Sequence, residues 1–316
     1  MDARLDEYKK AVAQTKAFYD RFAQYYDEFV PEKTRADRIP GLVAYVKKTC
    51  CSTGKLHFLE LGCGTASYAV PLAESGHHVI GVDISSKMRE LGLKKLRGKS
   101  LMGFEYVTSD WLDVLEKRES EFDSILCIGN SLIHNPTSIL PILFSSAFRA
   151  LKPGGVVILN GRRIERELEM MEGSDTSQNK VCRSGGPVFI PGVGSRIALR
   201  FMFMTRVVRE KENETIINFY TNDNYESDGR RLVCHRLLFN NVRKTETKPK
   251  QNDTWVEERP VQYDTWATKT YYIFEDQLIK VLEESGFSGI RKESPFEKPS
   301  SKPGKNWYIV AQRPIG

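Results

Sequence analysis

The stretch 59-LELGCGTASYAV-70 decides how the rest of the chain is read. An apolar run interrupted by Glu60 meets Gly62-Cys63-Gly64, and a helix-like pattern begins directly afterwards. Glycine at a strand-to-helix turn reaches backbone conformations closed to other residues and leaves no Cβ between main chain and ligand. Strand patterns at Leu56–Leu61, Val79–Val82, Phe104–Val107, Ser124–Ile128 and Val156–Leu159 alternate with helical patterns at Ser67–Glu74, Ser86–Leu96 and Ile139–Ala150. Such alternation predicts an α/β fold with a parallel sheet covered on both faces. Ligands of such sheets bind beyond the carboxyl ends of the strands, where strand order reverses, so the glycine turn, Asp83 and Ser109-Asp110-Trp111 belong to one edge.

Outward from this block the pattern changes. Residues 1–50 read as a helical arm or lid, with Phe18, Phe22, Tyr25, Tyr26 and Phe29 at helical spacing, a stripe that reads as packing. Residues 51–164 form the sheet core. From 165 to 245 short alternating strands with turns at "PGVG" and "SDGRR" predict an antiparallel insert. Residues 246–316 return to the core. There "FEDQLIKVLEESGF" is a helix with Leu278, Val281 and Leu282 on one face and Gly286 as its stop, "EKPSSKPGK" is a loop, and "WYIVAQRP" is a last strand.

Composition narrows the class. A chain of 316 residues, 40% of them apolar, can bury a sizeable core, as one large domain or a domain with a lid. No apolar run is long enough to span a bilayer, and the start "MDARLDEYKK" lacks the apolar segment of a signal peptide. Cytoplasmic residence without a membrane partner is therefore expected. None of the 6 cysteines forms a Cys-x-x-Cys pair, so neither a metal site nor a disulfide framework is suggested. The net charge of +6 is spread along the chain, and its densest part, Lys244–Lys250, reads as a solvated loop. A nucleic-acid partner is not expected; self-association stays open.

Two cofactor classes fit the glycine turn. A dinucleotide needs Gly-x-Gly-x-x-Gly to seat its pyrophosphate, and the third position here is Ser67. S-adenosylmethionine has no phosphate and needs the close turn but less of the anion cradle. Asp83 offers ribose hydroxyls an acceptor in either case. Asp110 beside the flat Trp111 suits an adenine amino group and ring face, and also suits a helix N-cap.

In order and spacing, "LELGCGTAS", "VIGVD", "TSDWLDV", "FDSILCIGNSLIH" and "LKPGGVVIL" resemble the class I, Rossmann-like S-adenosylmethionine-dependent methyltransferases. The resemblance spans about residues 35–159 and the closing helix and strand. It implies a doubly wound, mostly parallel seven-stranded sheet with an antiparallel β insert covering the active site. It further implies S-adenosylmethionine as cofactor, held by Arg35, Glu60, Gly62, Gly64, Asp83, Ser109, Asp110, Trp111 and Ile128.

A narrower likeness follows. "CIGNSLIH" and, after the fifth strand, "LNGRRIEREL" are similar to the glycine N-methyltransferase group, including the glycine/sarcosine N-methyltransferases. By position this implies Asn130 and His134 lining a substrate site, Arg162 gripping a carboxylate, and Tyr220 of "NFYTND" facing the substrate. Taken alone, these residues also allow plainer readings: His134 starting a helix, Arg162 paired with Glu165 or Glu169, Tyr220 within a sheet, Arg35 on the surface. The chain departs from the group at Gly161, where an acid or histidine is usual, and at Arg163-Ile164-Glu165, where Asn-Tyr-Asp is usual. The expected function is methyl transfer to the amine nitrogen of a small carboxylate-bearing acceptor. The alternative is N- or O-methylation of RNA or of another small molecule; no Asn-Pro-Pro-Tyr tetrad follows the fourth strand.

Overall fold

The structure, a computed structural model, describes residues 2–29, 37–96, 101–162, 188–191, 196–210, 213–227, 232–246, 259–262, 265–296 and 306–315. Its helices are α1 (Ala3–Phe29), α2 (Ile39–Thr49), α3 (Ala69–Glu74), α4 (Ser86–Lys95), α5 (Trp111–Leu115), α6 (Leu140–Ala150) and α7 (Glu275–Glu284). The strands are β1 (His57–Leu61), β2 (His78–Asp83), β3 (Phe104–Thr108), β4 (Phe122–Cys127), β5 (Leu151–Arg162), β6 (Val188–Pro191), β7 (Arg196–Glu210), β8 (Asn213–Ser227), β9 (Leu232–Glu246), β10 (Arg259–Gln262), β11 (Thr265–Tyr272), β12 (Ser288–Arg291) and β13 (Asn306–Gln312).

One compact unit comprises Met1–Arg166 and Tyr271–Gly316. Its sheet has seven strands in the order β12-β13-β5-β4-β1-β2-β3. β1 runs parallel to β2 and β4, as do β3 to β2 and β5 to β4. β13 is antiparallel to both β5 and β12. Strand order therefore reverses at β1 and β4, which opens a crevice above their carboxyl ends.

The sheet is apolar on both faces because helices cover both. Successive side chains of a strand point to opposite faces. Leu59 and Leu61 of β1 join one cluster with Leu143 of α6 and Leu278 of α7. Phe58 joins the other, with Leu42 and Val46 of α2 and Leu72 of α3. Burying one such side chain completely is worth about 1.5–3 kcal/mol. Helix starts are fixed by side-chain caps at the site edge: Ser85 Oγ accepts the Met88 N–H at 3.1 Å, and Asp110 Oδ1 the Asp113 N–H at 3.0 Å. α7 stops as expected, at Gly286 with φ +95°. The "EKPSSKPGK" segment lies outside the described residues.

The amino-terminal arm divides in two. α2 packs into the core through Leu42 and Val46, both fully buried. α1 buries Tyr8, Ala11, Phe18 and Phe22, so part of the expected aromatic stripe is packing. Tyr26 instead faces the glycine turn.

The second compact unit, Glu167–Thr270, holds an antiparallel sheet in the order β10-β9-β8-β7-β6, with β11 also paired to β9. Its central strands β7, β8 and β9 run 15 residues each, longer than the short strands the turn sequences suggest. The antiparallel strands also continue past residue 245 through β10 and β11, so the return to the sheet core comes later than expected. A register shift between Met202 and Met204 marks a bulge in β7. Tyr220 sits mid-strand on β8, in register with Met202 on β7 and Phe239 on β9.

Candidate active site

The glycine turn is clamped to the neighbouring strand: the N–H groups of Gly62 and Cys63 both donate to the Val82 carbonyl, at 2.8 and 2.9 Å. Gly62 has φ +73° and Gly64 φ +57°, in the left-handed region. A Cβ on Gly62 would lie 2.8 Å from the Cβ and Oγ of Ser131, and one on Gly64 3.1 Å from the Tyr26 hydroxyl. The turn is therefore crowded by the loop after β4 and by α1, and any ligand shares that space with them.

Asp83 ends β2 as expected and is 8% exposed. Its Oδ2 accepts the Gly64 N–H and its Oδ1 the Ser85 N–H, each at 2.9 Å. Burial raises its pKa to about 6, against the pull of those N–H groups, and Asp20 adds to the rise. A carboxylate has about four lone-pair sites, so capacity remains for a ligand hydroxyl. Asp110 is the helix N-cap that its position before α5 allows, and it also faces the cavity beside Trp111. Its Oδ1 accepts the Tyr8 hydroxyl as well, at 3.1 Å.

These groups surround a cavity that opens to solvent, with about 830 Å³ of atom-free space when its open mouth is counted. α1 forms one wall. Tyr8, Val12, Thr15, Tyr19 and Tyr26 face inward at steps of four, three, four and seven residues, a single helical face. Hydrogen bonds hold that wall: Asp20 Oδ1 accepts from Ser85 Oγ at 2.7 Å, and Asp27 Oδ1 from Thr65 Oγ1 at 2.6 Å. Lys95 joins the latter pair, 2.7 Å from Asp27 and 2.9 Å from Thr65. An uncrowded main chain at the turn is absent, but the acceptors, the aromatic face and the absence of a third glycine at Ser67 suit S-adenosylmethionine.

Comparison with known proteins agrees. A family model described as a methyltransferase domain matches residues 58–155. Residues 58–155 thus carry a methyltransferase domain, in a chain with the fold of the class I S-adenosylmethionine-dependent methyltransferases. It is similar to a glycine/sarcosine N-methyltransferase of Halorhodospira halochloris, 27% identical over 193 residues, which covers 60% of this chain and 69% of that one. The glycine N-methyltransferase of Mus musculus is 28% identical over 120 residues, 34% of this chain and 40% of the relative. The chain thus spans between 40% and 69% of the length of these relatives. In fold it resembles a crystal structure of an S-adenosylmethionine-dependent methyltransferase from Clostridium acetobutylicum, with a TM-score of 0.53, 16% identity, and coverage of 94% of this chain and 99% of that one.

The fold brings Gly62, Gly64, Asp83, Asp110, Trp111 and His134 to one cavity. Other expected positions lie elsewhere. Glu60 and Ile128 are buried, 3% and 4% exposed, and are not part of the cavity lining. Ser109 donates its N–H to the Asp83 carbonyl at 3.2 Å and acts through the backbone. Arg35 is outside the described residues. Asn130 has φ +66°, and its Oδ1 accepts the Arg162 N–H at 3.0 Å, which joins the loop after β4 to the end of β5. Asn160 reinforces this joint, accepting from Gly129 N–H at 3.2 Å and donating to the Trp307 carbonyl at 3.0 Å. Gly161 also has a cause: a Cβ there would lie 2.1 Å from the Trp307 ring. His134 starts no long helix; its Nε2 is 2.9 Å from the Tyr19 hydroxyl. Among the described residues no helix is long and apolar enough to cross a membrane.

Proposed function

We propose that this methyltransferase moves a methyl group to the nitrogen of a small amine that carries a carboxylate. The observation that carries the reading is the joint between β4 and β5. The Asn130 side chain holds the Arg162 backbone, which sets both residues at the carboxyl edge with His134 four residues further on. The glycine and glycine/sarcosine N-methyltransferases among the similar proteins support it.

S-adenosylmethionine supplies, when bound, a methyl group activated on a positively charged sulfur. The chain contributes binding and alignment. Asp83 would accept ribose hydroxyls at its remaining lone pairs, and Asp110 would offer Oδ2 to the adenine amino group beside Trp111. Orientation alone is worth about 7–11 kcal/mol of a barrier. The α1 wall would shield the bound acceptor from water, and a drier site favours the neutral, nucleophilic form of an amine. The planar Arg162 guanidinium would grip the acceptor carboxylate through two parallel hydrogen bonds.

One observation favours a second reading, an amine without a carboxylate: among the described residues that line the cavity none is lysine or arginine. Methyl transfer to glycine and sarcosine, measured beside methylamine and ethanolamine, separates the two. The proposal expects the carboxylate acceptors to win, and Arg162→Lys to raise their KM tenfold or more, on the order of one lost charged hydrogen bond, at unchanged cofactor affinity. Preference for the carboxyl-free amines, or an Arg162→Lys enzyme like the parent, overturns it.

A further inference from the structure

We propose that Tyr19 and His134 act as a joined pair that takes the proton from the acceptor amine, with the Tyr19 hydroxyl as the group that meets the nitrogen. The inference rests on the reading of the acceptor as an amine. The Tyr19 hydroxyl and His134 Nε2 are 2.9 Å apart, and the two rings pack edge to face, 5.2 Å between centroids at 82°. Both side chains line the cofactor cavity. The pair spans two elements, α1 and the short turn after β4, so it exists only while α1 is docked.

Its placement is fixed from both sides. Phe18, one residue earlier, is 8% exposed and meets the Tyr19 ring edge to face, 5.1 Å between centroids at 86°. Asp20, one residue later, accepts from Ser85 Oγ at 2.7 Å. With Phe18 buried and Asp20 bonded to Ser85, α1 presents the Tyr19 hydroxyl to the cavity.

Asp83, Asp110 and Asn130 each hold bonds within the protein, and the lone pairs that Asp83 and Asp110 retain are assigned to the cofactor. Asp83 is tied to the Gly64 and Ser85 N–H groups, and Asp110 to Tyr8 and the Asp113 N–H. The Asn130 oxygen holds the Arg162 backbone. An imidazole titrates near neutrality, which suits a group that must accept a proton and release it each cycle. The other titratable groups facing the cavity are Tyr8 and Tyr26 from α1, Asp83 after β2 and Asp110 after β3.

The step balances without a further reagent. In the tautomer where Nε2 carries the lone pair, Tyr19 donates its hydroxyl proton to that nitrogen. The acceptor ammonium N–H bond breaks, its electron pair stays on nitrogen for attack, and its proton moves to the Tyr19 oxygen as the tyrosine proton moves to Nε2. The imidazolium then returns the proton to water.

Two cofactor analogues test the pair without any acceptor. Sinefungin carries an ammonium in place of the methylsulfonium; S-adenosylhomocysteine is a neutral thioether. Tyr19→Phe keeps the ring and removes the hydroxyl. It should weaken sinefungin about tenfold or more relative to S-adenosylhomocysteine, the scale of a lost hydrogen bond to a charged group. In the parent, sinefungin affinity should fall as pH drops through the His134 titration, followed by NMR among the 5 histidines, and His134→Gln should remove that dependence. Equal weakening of both analogues means that the hydroxyl only docks α1, and it overturns the proposal. So does a pH dependence that survives in His134→Gln, the variant that decides the matter if Tyr19→Phe fails to fold. Failure of the amine acceptors in the turnover screen, with these binding results intact, sinks the amine reading and leaves the pair beside the transferred methyl.

Discussion

Replacing Gly62 by alanine tests whether the turn is built around the loop after β4. Two separate costs are expected. At φ +73° a residue with a Cβ sits in the left-handed region, at about 1–2 kcal/mol. The new methyl would also lie 2.8 Å from Ser131 Cβ and Oγ and 3.3 Å from the Trp111 ring, where carbon contacts rest at about 3.5–4.0 Å. Ser131 must move by several tenths of an ångström or more, and such overpacking costs about 1–3 kcal/mol. The sum is about 2–5 kcal/mol, measurable as a shift in urea midpoint at constant slope. Ser131→Gly removes the obstructing atoms and leaves the strain. In that background the alanine should cost only the first part, so the cycle should show about 1–3 kcal/mol of coupling. Calorimetry with S-adenosylmethionine adds a second measure, because Trp111 borders the displaced atoms. A Gly62→Ala protein within about 0.5 kcal/mol of the parent refutes the argument. A penalty that Ser131→Gly leaves unchanged removes Ser131 as its cause.

Three further outcomes follow from the same edge. Asp83 has a raised pKa, so its contribution to the stability of the ligand-free protein is present below about pH 4 and lost as pH rises through about 6, an effect of about 3 kcal/mol. Ribose hydroxyls favour the charged form, so cofactor affinity should fall as pH drops below 6, with proton release on binding in calorimetry; a flat profile from pH 5 to 7 contradicts this. Tyr8→Phe loses the bonds to Asp110 and to the Leu112 N–H, and should weaken S-adenosylmethionine by about 0.5–1.5 kcal/mol; unchanged affinity separates Tyr8 from the adenine end. Gly161→Ala, facing the Trp307 ring at 2.1 Å, should destabilise the fold by about 1–3 kcal/mol or more, and Trp307→Ala should absorb most of that change.

The sheet, the glycine turn, Asp83, Asp110 and Trp111 were legible in the sequence because each depends on local rules: strand ends, turn geometry and chain order. The α1 wall was not, although its signal was present. Tyr8, Val12, Thr15, Tyr19 and Tyr26 repeat at helical spacing, but spacing cannot separate a face that meets a core from one that meets a cavity. Asn130 was legible as a position and not as a role. Its engagement with the Arg162 backbone depends on β4 and β5 lying side by side. The departure at Gly161 was visible as a missing side chain; its cause, Trp307, arrives from the far end of the chain through the β13 pairing. The 15-residue strands were hidden because alternation shows the faces of a strand but not where its partner ends.

Helix α1 reaches the segments that follow four successive parallel strands: Asp27 meets Thr65, Asp20 meets Ser85, Tyr8 meets Asp110 and Tyr19 meets His134. Four such bonds at about 0.5–1.5 kcal/mol each contribute about 2–6 kcal/mol to docking, in addition to the burial of Tyr8, Phe18 and Phe22. The bonds alone make the open form rarer than the closed one by a factor of about thirty to about twenty thousand. Whatever enters or leaves past this helix waits for that rare state, so the tempo of exchange belongs to the amino-terminal residues. Loosening one bond there should quicken release while costing some of the shelter in which the methyl group moves.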